Sequence, residues 1–221
     1  MTPPFHWTTF DVTGWLPEGW QAVVEAAADA DAEFADFPRT PTLSREGADV
    51  HSISRGRLHA GDLQRDLPWL YRLYREFFLD LARQVIPGEL VTPARDDRYG
   101  VVLNVQRGTA MRFECHIDSN PLTGLLFCTN HPAGAGGELV FAHDPAAADI
   151  GAVDRDCTVI RPHPGRVVFF DGRLHPHYAR RLTSESDVRI AAVMNFYTAA
   201  HPEADRPPGA RRRLFRHERA G

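Results

Sequence analysis

The stretch YGVVLNVQRGTAMRFECHIDSNPLTGLLFCT, residues 99–129, decides how the chain is read. It holds three short β-rich runs, 99–106, 111–115 and 123–129, the first two separated by Arg107-Gly108. Downstream the pattern repeats at 138–142, 157–161, 166–170 and 188–197, broken by turn-forming residues at 132–137, 162–165 and 171–172. Upstream the pattern differs. Residues 18–34 are Ala-rich and predict a helix. A second helix is predicted over 68–86, because Leu70, Leu73, Phe77 and Leu81 recur at helical spacing. Asp66 is its expected cap, Pro68 suits its first turn, and Pro87-Gly88 ends it. Residues 39–61 carry Pro, Gly, Ser and His without periodicity and read as irregular.

Seven or eight short strands behind two helices predict a mainly β fold with some α. The expected form is a double-stranded β-helix, a cupin-like jelly roll, with the N-terminal helices packed on one sheet. One domain is expected over 1–221: a helical part at 1–98, the jelly-roll core at 99–198, and an Arg-rich tail at 199–221. Such a small barrel has a mouth, where a ligand site is expected.

With 43% hydrophobic and 24% charged residues, the composition is that of a soluble globular chain. No run of 18 apolar residues exists, so no membrane span is expected, and Met1 to His6 has no signal-peptide pattern. Cys115, Cys128 and Cys157 are odd in number and lack CxxC spacing, which disfavours a disulfide framework or a structural zinc and points to a cytoplasmic location. The net charge of -4 disfavours a nucleic-acid partner. All 25 basic residues are arginine, so lysine-dependent chemistry is excluded. Arg206, Arg211, Arg212, Arg213, Arg216 and Arg219 crowd the C-terminus and read as a solvated tail, or else as a lid or interface arm. Monomer and homodimer both remain open.

The strongest chemical signal is His116-Ile117-Asp118. Side chains two apart on a strand point to one face. Another pair of histidines, His175 and His177, lies in Arg173-Leu174-His175-Pro176-His177. Two imidazoles and one carboxylate on one side of an octahedron make the facial triad of non-haem Fe(II) oxygenases, which leaves positions open for a co-substrate and O2.

The order of features around that signal is specific as a set. His116 and Asp118 are followed by Leu125-Leu126-Phe127, by Gly136-Gly137-Glu138-Leu139, by Gly165 to Phe170, by the His pair, and by Arg189 in an apolar run. In this the chain resembles the Fe(II)/2-oxoglutarate-dependent oxygenases, particularly the prolyl-hydroxylase-like branch, over about residues 99–198. The resemblance implies His116, Asp118 and His177 as iron ligands, with the register after His177 fitting better than that after His175. It implies Arg189 as the anchor for the distal carboxylate of 2-oxoglutarate, since a guanidinium fork matches a carboxylate. It offers Asn104, on the preceding strand, as a further 2-oxoglutarate contact. Fe(II), 2-oxoglutarate and O2 are the cofactors and co-substrates so implied, with succinate and CO2 released as an unactivated C–H bond is hydroxylated.

Residues 113–121 are also similar to bacterial radical halogenases that act on free amino acids. Those have Gly where this chain has Asp118, and the vacancy admits chloride. Asp118 therefore implies hydroxylation. The resemblance implies a small-molecule substrate, a free amino acid, with basic ones included. Arg55, Arg57 and Arg112 are candidates for its carboxylate, Glu114, Asp96 and Asp97 for its amines, and Asn195, on the face of Arg189, for the pocket wall. His131, His143 and His163 read as exposed loop residues, and Cys115 as a packed small hydrophobe. Desaturation or cyclisation, a peptide or carrier-bound substrate, a cupin-type metal isomerase and a non-catalytic cupin-like binding module are the competing readings.

Overall fold

A computed structural model describes residues 6–39, 42–96 and 99–206. Asp97 and the arginines at 211, 212, 213, 216 and 219 lie outside them. In chain order the elements are β1 (Trp7–Asp11), α1 (Trp20–Asp31), β2 (Glu33–Pro38), β3 (Ser52–Leu58), α2 (Ala60–Asp66), α3 (Pro68–Arg75), α4 (Phe77–Val85), β4 (Val91–Pro93) and β5 (Val101–Arg107). There follow β6 (Leu122–Phe127), β7 (Leu139–Ala142), α5 (Ile150–Arg155), β8 (Cys157–Ile160), β9 (Arg166–Phe170), β10 (His177–Ala179) and β11 (Val188–Thr198). The large sheet runs β1-β9-β6-β11-β5-β3-β2, with β4 paired to the end of β11. The small sheet runs β10-β7-β8. The fold is a mainly antiparallel jelly roll with helices against its larger sheet.

The central strand β11 shows why the sheets stack as they do. Ile190, Ala192, Met194 and Phe196 face one way and join Leu70, Tyr74, Phe78, Leu103, Leu126 and Phe169 in the core beneath the helices. Burying each such Leu or Phe contributes about 1.5–3 kcal/mol. Ala191 faces the other way, into a smaller core with Leu125, Phe127, Phe141 and Phe170 between the sheets, and Val193 packs against it. By the same alternation Arg189 and Asn195 point into the barrel. Tyr74 seals the helical layer: its hydroxyl donates to the Asn195 carbonyl at 2.7 Å and accepts from the Ala94 amide at 2.8 Å.

Several expectations are corrected. The first helix stops at Asp31 because Ala32 is already extended, and the next six residues pair with β3. The segment read as irregular contains β3, whose Arg, Ser and Gly hide the strand pattern. The second helix is two, broken at Glu76 (φ -115, ψ -90), with α2 ahead of them. Pro68 opens α3, but the cap position is Leu67, and Asp66 gives its carboxylate to Arg65 instead. Residues 111–115 form no strand; the Arg112 amide donates to the Ser54 carbonyl at 3.2 Å.

Candidate metal centre

His116 and Asp118 sit on a segment outside the strands, tied to its neighbours one residue at a time. The amide of Ile117 donates to Leu43 at 2.9 Å and that of Asp118 to Gly172 at 3.0 Å. His177 opens β10, and His116 faces it across an isolated antiparallel bridge. One ligand atom from each of His116, Asp118 and His177 lies within 4.8 Å of the others. Asp118 Oδ1 is 3.3 Å from His116 Nε2 and 3.6 Å from His177 Nε2.

The tautomers follow from the hydrogen bonds. His116 Nδ1 lies 2.6 Å from the Glu114 carbonyl, and His177 Nδ1 lies 3.0 Å from the His175 carbonyl. A carbonyl only accepts, so each Nδ1 carries the proton and each Nε2 presents its lone pair to the centre. Phe141 stacks on His177 at 4.9 Å and Phe170 meets its edge at 5.4 Å, which fixes the ring. Thr123 Oγ1 donates to Asp118 Oδ2 at 2.7 Å, and Asn120 Nδ2 donates to Thr123 Oγ1 at 2.8 Å. Asp118 Oδ1 is thereby turned inward. Burial alone would raise this carboxyl; when the His177 and His116 imidazoles carry a second proton, on Nε2 in place of a metal, their charge and hydrogen bonds outweigh burial and hold it well below the usual carboxylate range. Two imidazole nitrogens and one carboxylate oxygen are the donor set of a non-haem Fe(II) site, so these residues fit the metal.

Gly172 is part of the same construction. A Cβ there would lie 2.5 Å from Asp118 Oδ2 and 2.6 Å from His177 Cε1. Read in sequence as turn punctuation, it is the residue whose missing side chain lets both ligands close in.

Arg189 lies in the same cavity as the three ligands, which is walled by Leu125, Leu139, Phe170 and Val193. Its side chain is 1% exposed, and Nε donates to the Gly137 carbonyl at 2.6 Å. Nη2 is buried with no hydrogen-bond partner among the described residues. Burial pushes its pKa down to about 10. A buried guanidinium in this state calls for an anion, and the carboxylate of 2-oxoglutarate fits. Asn104 lines this cavity too, with Oδ1 buried and without partner among the described residues.

Adjoining it is a second, outer cavity, lined by Leu43, Phe113 and Asn195 and by Arg55, Arg57 and Arg206. Asn104, His116 and Asp118 border both spaces. Of the residues singled out for substrate, Arg55, Arg57 and Asn195 are therefore at this cavity, Asn195 with its amide donating to the Tyr99 carbonyl at 2.6 Å. Arg112 is not: it forms a buried two-pronged pair with Glu46 at 2.5 and 2.8 Å. Glu114 is buried beside Arg55 at 3.9 Å, and Asp96 lines a separate groove. His175 turns from the centre and bonds the Ala142 carbonyl at 2.9 Å. His131 is buried near Thr129, which corrects its reading as exposed; His143 is partly exposed and bonds Asp156, and His163 is exposed. Cys115 is buried, as its packing role requires. No helix among the described residues is long and apolar enough to cross a membrane.

A family model described as the 2OG-Fe(II) oxygenase superfamily matches residues 101–197. No curated protein matches the chain. Among solved structures, AviO1 from Streptomyces viridochromogenes Tue57 is similar at 18% identity, over 92% of this chain and 94% of that one, with a TM-score of 0.62. The non-heme alpha ketoglutarate dependent epimerase SnoN from nogalamycin biosynthesis follows at 14%, 89%, 79% and 0.60. HygX from Streptomyces hygroscopicus, crystallised with nickel and 2-oxoglutarate, is similar at 10% identity, over 89% and 84%, with a TM-score of 0.58. At these identities the likeness is one of fold.

Proposed function

Given that residues 101–197 are a 2OG-Fe(II) oxygenase domain, and the chain an oxidoreductase that uses Fe(II), 2-oxoglutarate and O2, we propose that it hydroxylates an unactivated C–H bond of a small free amino acid. The observation that carries this reading is the placement of His116, Asp118, His177 and Arg189 around one cavity.

His116 Nε2, Asp118 Oδ1 and His177 Nε2 would hold the metal. Bound Fe(II) supplies the redox chemistry that couples oxidative decarboxylation of 2-oxoglutarate to hydroxylation. Arg189 takes the distal carboxylate of 2-oxoglutarate, and the Asn104 amide offers it a further polar contact. Leu125, Leu139, Phe170 and Val193 keep water from that end of the cavity. Asp118 also sets the outcome. Its carboxylate, held by Thr123, would serve as a metal ligand where a halide would otherwise bind, and a product that gains oxygen and not chlorine is expected.

The substrate belongs in the outer cavity. Among the described residues lining it, Asp118 is the one carboxylate, so a basic side chain finds no counter-charge there. The reading narrows to an amino acid with a neutral or acidic side chain. Mass spectrometry of products, with chloride in excess, tests it: one added oxygen is expected, and chlorinated product refutes it. The fold-level likeness to the carbocyclase SnoK from nogalamycin biosynthesis, at 16% identity with a TM-score of 0.58, favours ring formation, with loss of hydrogen and no oxygen gain, as the second reading. The same spectra separate the two.

A further inference from the structure

The turn before β7 reaches across the barrel to Arg189. Arg189 belongs to β11 of the large sheet, whereas Gly137 lies just before β7 of the small one. The Gly137 carbonyl accepts from Arg189 Nε at 2.6 Å. Nε carries a single hydrogen, so an anion must be met by the terminal nitrogens, and Nη2 is buried without a hydrogen-bond partner among the described residues. A Cβ at position 137 would stand 3.1 Å from Arg189 Cδ and 3.4 Å from His131 Cδ2 and Leu182 Cδ2. The missing side chain lets the Arg189 stem pass that close. Gly137 also has φ +78, in the left-handed region that side chains rarely adopt.

The turn is pinned from its other side. The Gly137 amide donates to the Arg180 carbonyl at 3.3 Å, the Arg180 amide to the Glu138 carbonyl at 2.9 Å, and the Thr183 amide to the Ala135 carbonyl at 3.0 Å. From this turn the chain runs into β7, where every second residue faces the barrel. Gly137 holds Arg189, Leu139 lines the cavity, and Phe141 stacks on His177, its partner in the β7–β10 ladder. One short run of backbone therefore touches both the group assigned to the distal carboxylate of 2-oxoglutarate and a proposed metal ligand. These are the two ends between which the co-substrate must fit.

We propose that Gly137 is a positioning residue for the co-substrate: it fixes the Arg189 guanidinium relative to the metal ligands, and so sets the length of 2-oxo acid that the enzyme accepts. The inference rests on the oxygenase reading above and deepens it. A 2-oxo acid bound at the metal through one end carries its far carboxylate at a reach set by its number of carbons. With Arg189 held in place, one chain length is favoured over those a carbon shorter or longer. A side chain at 137 displaces the Arg189 stem, which weakens the favoured acid and narrows its lead over the others.

The test titrates 2-oxoglutarate, oxaloacetate and 2-oxoadipate anaerobically into the Fe(II)-loaded full chain and reads the visible charge-transfer band, with Fe(II) affinity measured separately. The unmodified chain is expected to favour 2-oxoglutarate over its shorter and longer homologues by about tenfold or more. Gly137→Ala is expected to raise the half-saturating 2-oxoglutarate concentration about 10- to 100-fold and to narrow that preference, with Fe(II) affinity little changed. Gly134→Ala is the control. Gly134 shares the left-handed backbone, at φ +85, but beyond its chain neighbours nothing lies within 4 Å of where its Cβ would stand, so its half-saturation should stay near that of the unmodified chain. Gly137→Asn adds the same Cβ on a residue that tolerates the left-handed region, and should show the same loss where Gly137→Ala does not fold. Equal affinity of the unmodified chain for the three acids, an unchanged half-saturation in a folded Gly137 variant, or an equal loss in Gly134→Ala overturns the inference. No binding of any 2-oxo acid to the unmodified Fe(II) protein is a different failure, that of the oxygenase reading itself.

Discussion

His116 and His177 exchange backbone hydrogen bonds: the amide of each donates to the carbonyl of the other, at 3.0 and 2.9 Å. This closed pair brings the two residues face to face, with their imidazoles 4.5 Å apart, centre to centre. The remaining adjustments come from Glu114 and His175, whose carbonyls take the Nδ1 protons. The two imidazoles proposed as ligands are thus placed by the fold itself, which leaves less ordering for metal binding to impose.

That arrangement separates two histidines of one short motif. His177→Ala should abolish 2-oxoglutarate turnover. His175→Ala removes a buried hydrogen bond to Ala142 and should cost about 1 kcal/mol of stability while turnover persists. Turnover assays with thermal melts on both variants check this. The reverse pattern would place the third ligand two residues earlier.

Arg189→Gln should weaken 2-oxoglutarate binding by about 2–4 kcal/mol, because it removes a charge-assisted contact in a buried place. Fe(II) affinity should change far less. Titrating each ligand separately reads the difference, and an unchanged 2-oxoglutarate dependence removes Arg189 from its role.

Gly172→Ala should damage the metal site more than the fold. The new methyl group meets Asp118 and His177 at distances no real Cβ keeps, so one ligand must shift. Metal titration should show at least a tenfold weaker Fe(II) affinity, in the range that displaced supporting groups cause. Melting with near-normal cooperativity should accompany it.

Glu46→Ala should be a stability mutant. It strands the buried Arg112 guanidinium and removes the acceptor of the Cys115 amide, 2.5 Å away. Breaking one side of a buried pair costs about 3–5 kcal/mol. Denaturant unfolding measures this, and a loss under 1 kcal/mol would show that the pair contributes little.

The sequence showed the second half of the fold well. Strands β5 to β9 and β11 have apolar runs bounded by Gly and Pro, and the strand-spaced His116 and Asp118 stand out against them. The first half was less legible. β3 carries Arg55 and Arg57 because a cavity needs them, and so lacks the alternation that marks a half-buried strand. Arg112 was legible as a cation but not as one already matched, since Glu46 is distant in sequence and contact between them is tertiary. Thr123 and Gly172 carried no motif: one acts through a single hydroxyl and the other through absent volume. The C-terminal arginines read as a solvated tail or else as a lid or interface arm; of them Arg206 alone lies among the described residues, and its side chain is largely buried against Tyr99.

The central claim is that His116, Asp118, His177 and Arg189 hold Fe(II) and 2-oxoglutarate together in one cavity. Anaerobic addition of 2-oxoglutarate to the Fe(II)-loaded protein, followed by visible spectroscopy, tests it most directly. A weak charge-transfer band is predicted for the unmodified chain and for His175→Ala, and none for His177→Ala. No band in the unmodified chain, or a band that survives His177→Ala, contradicts the account.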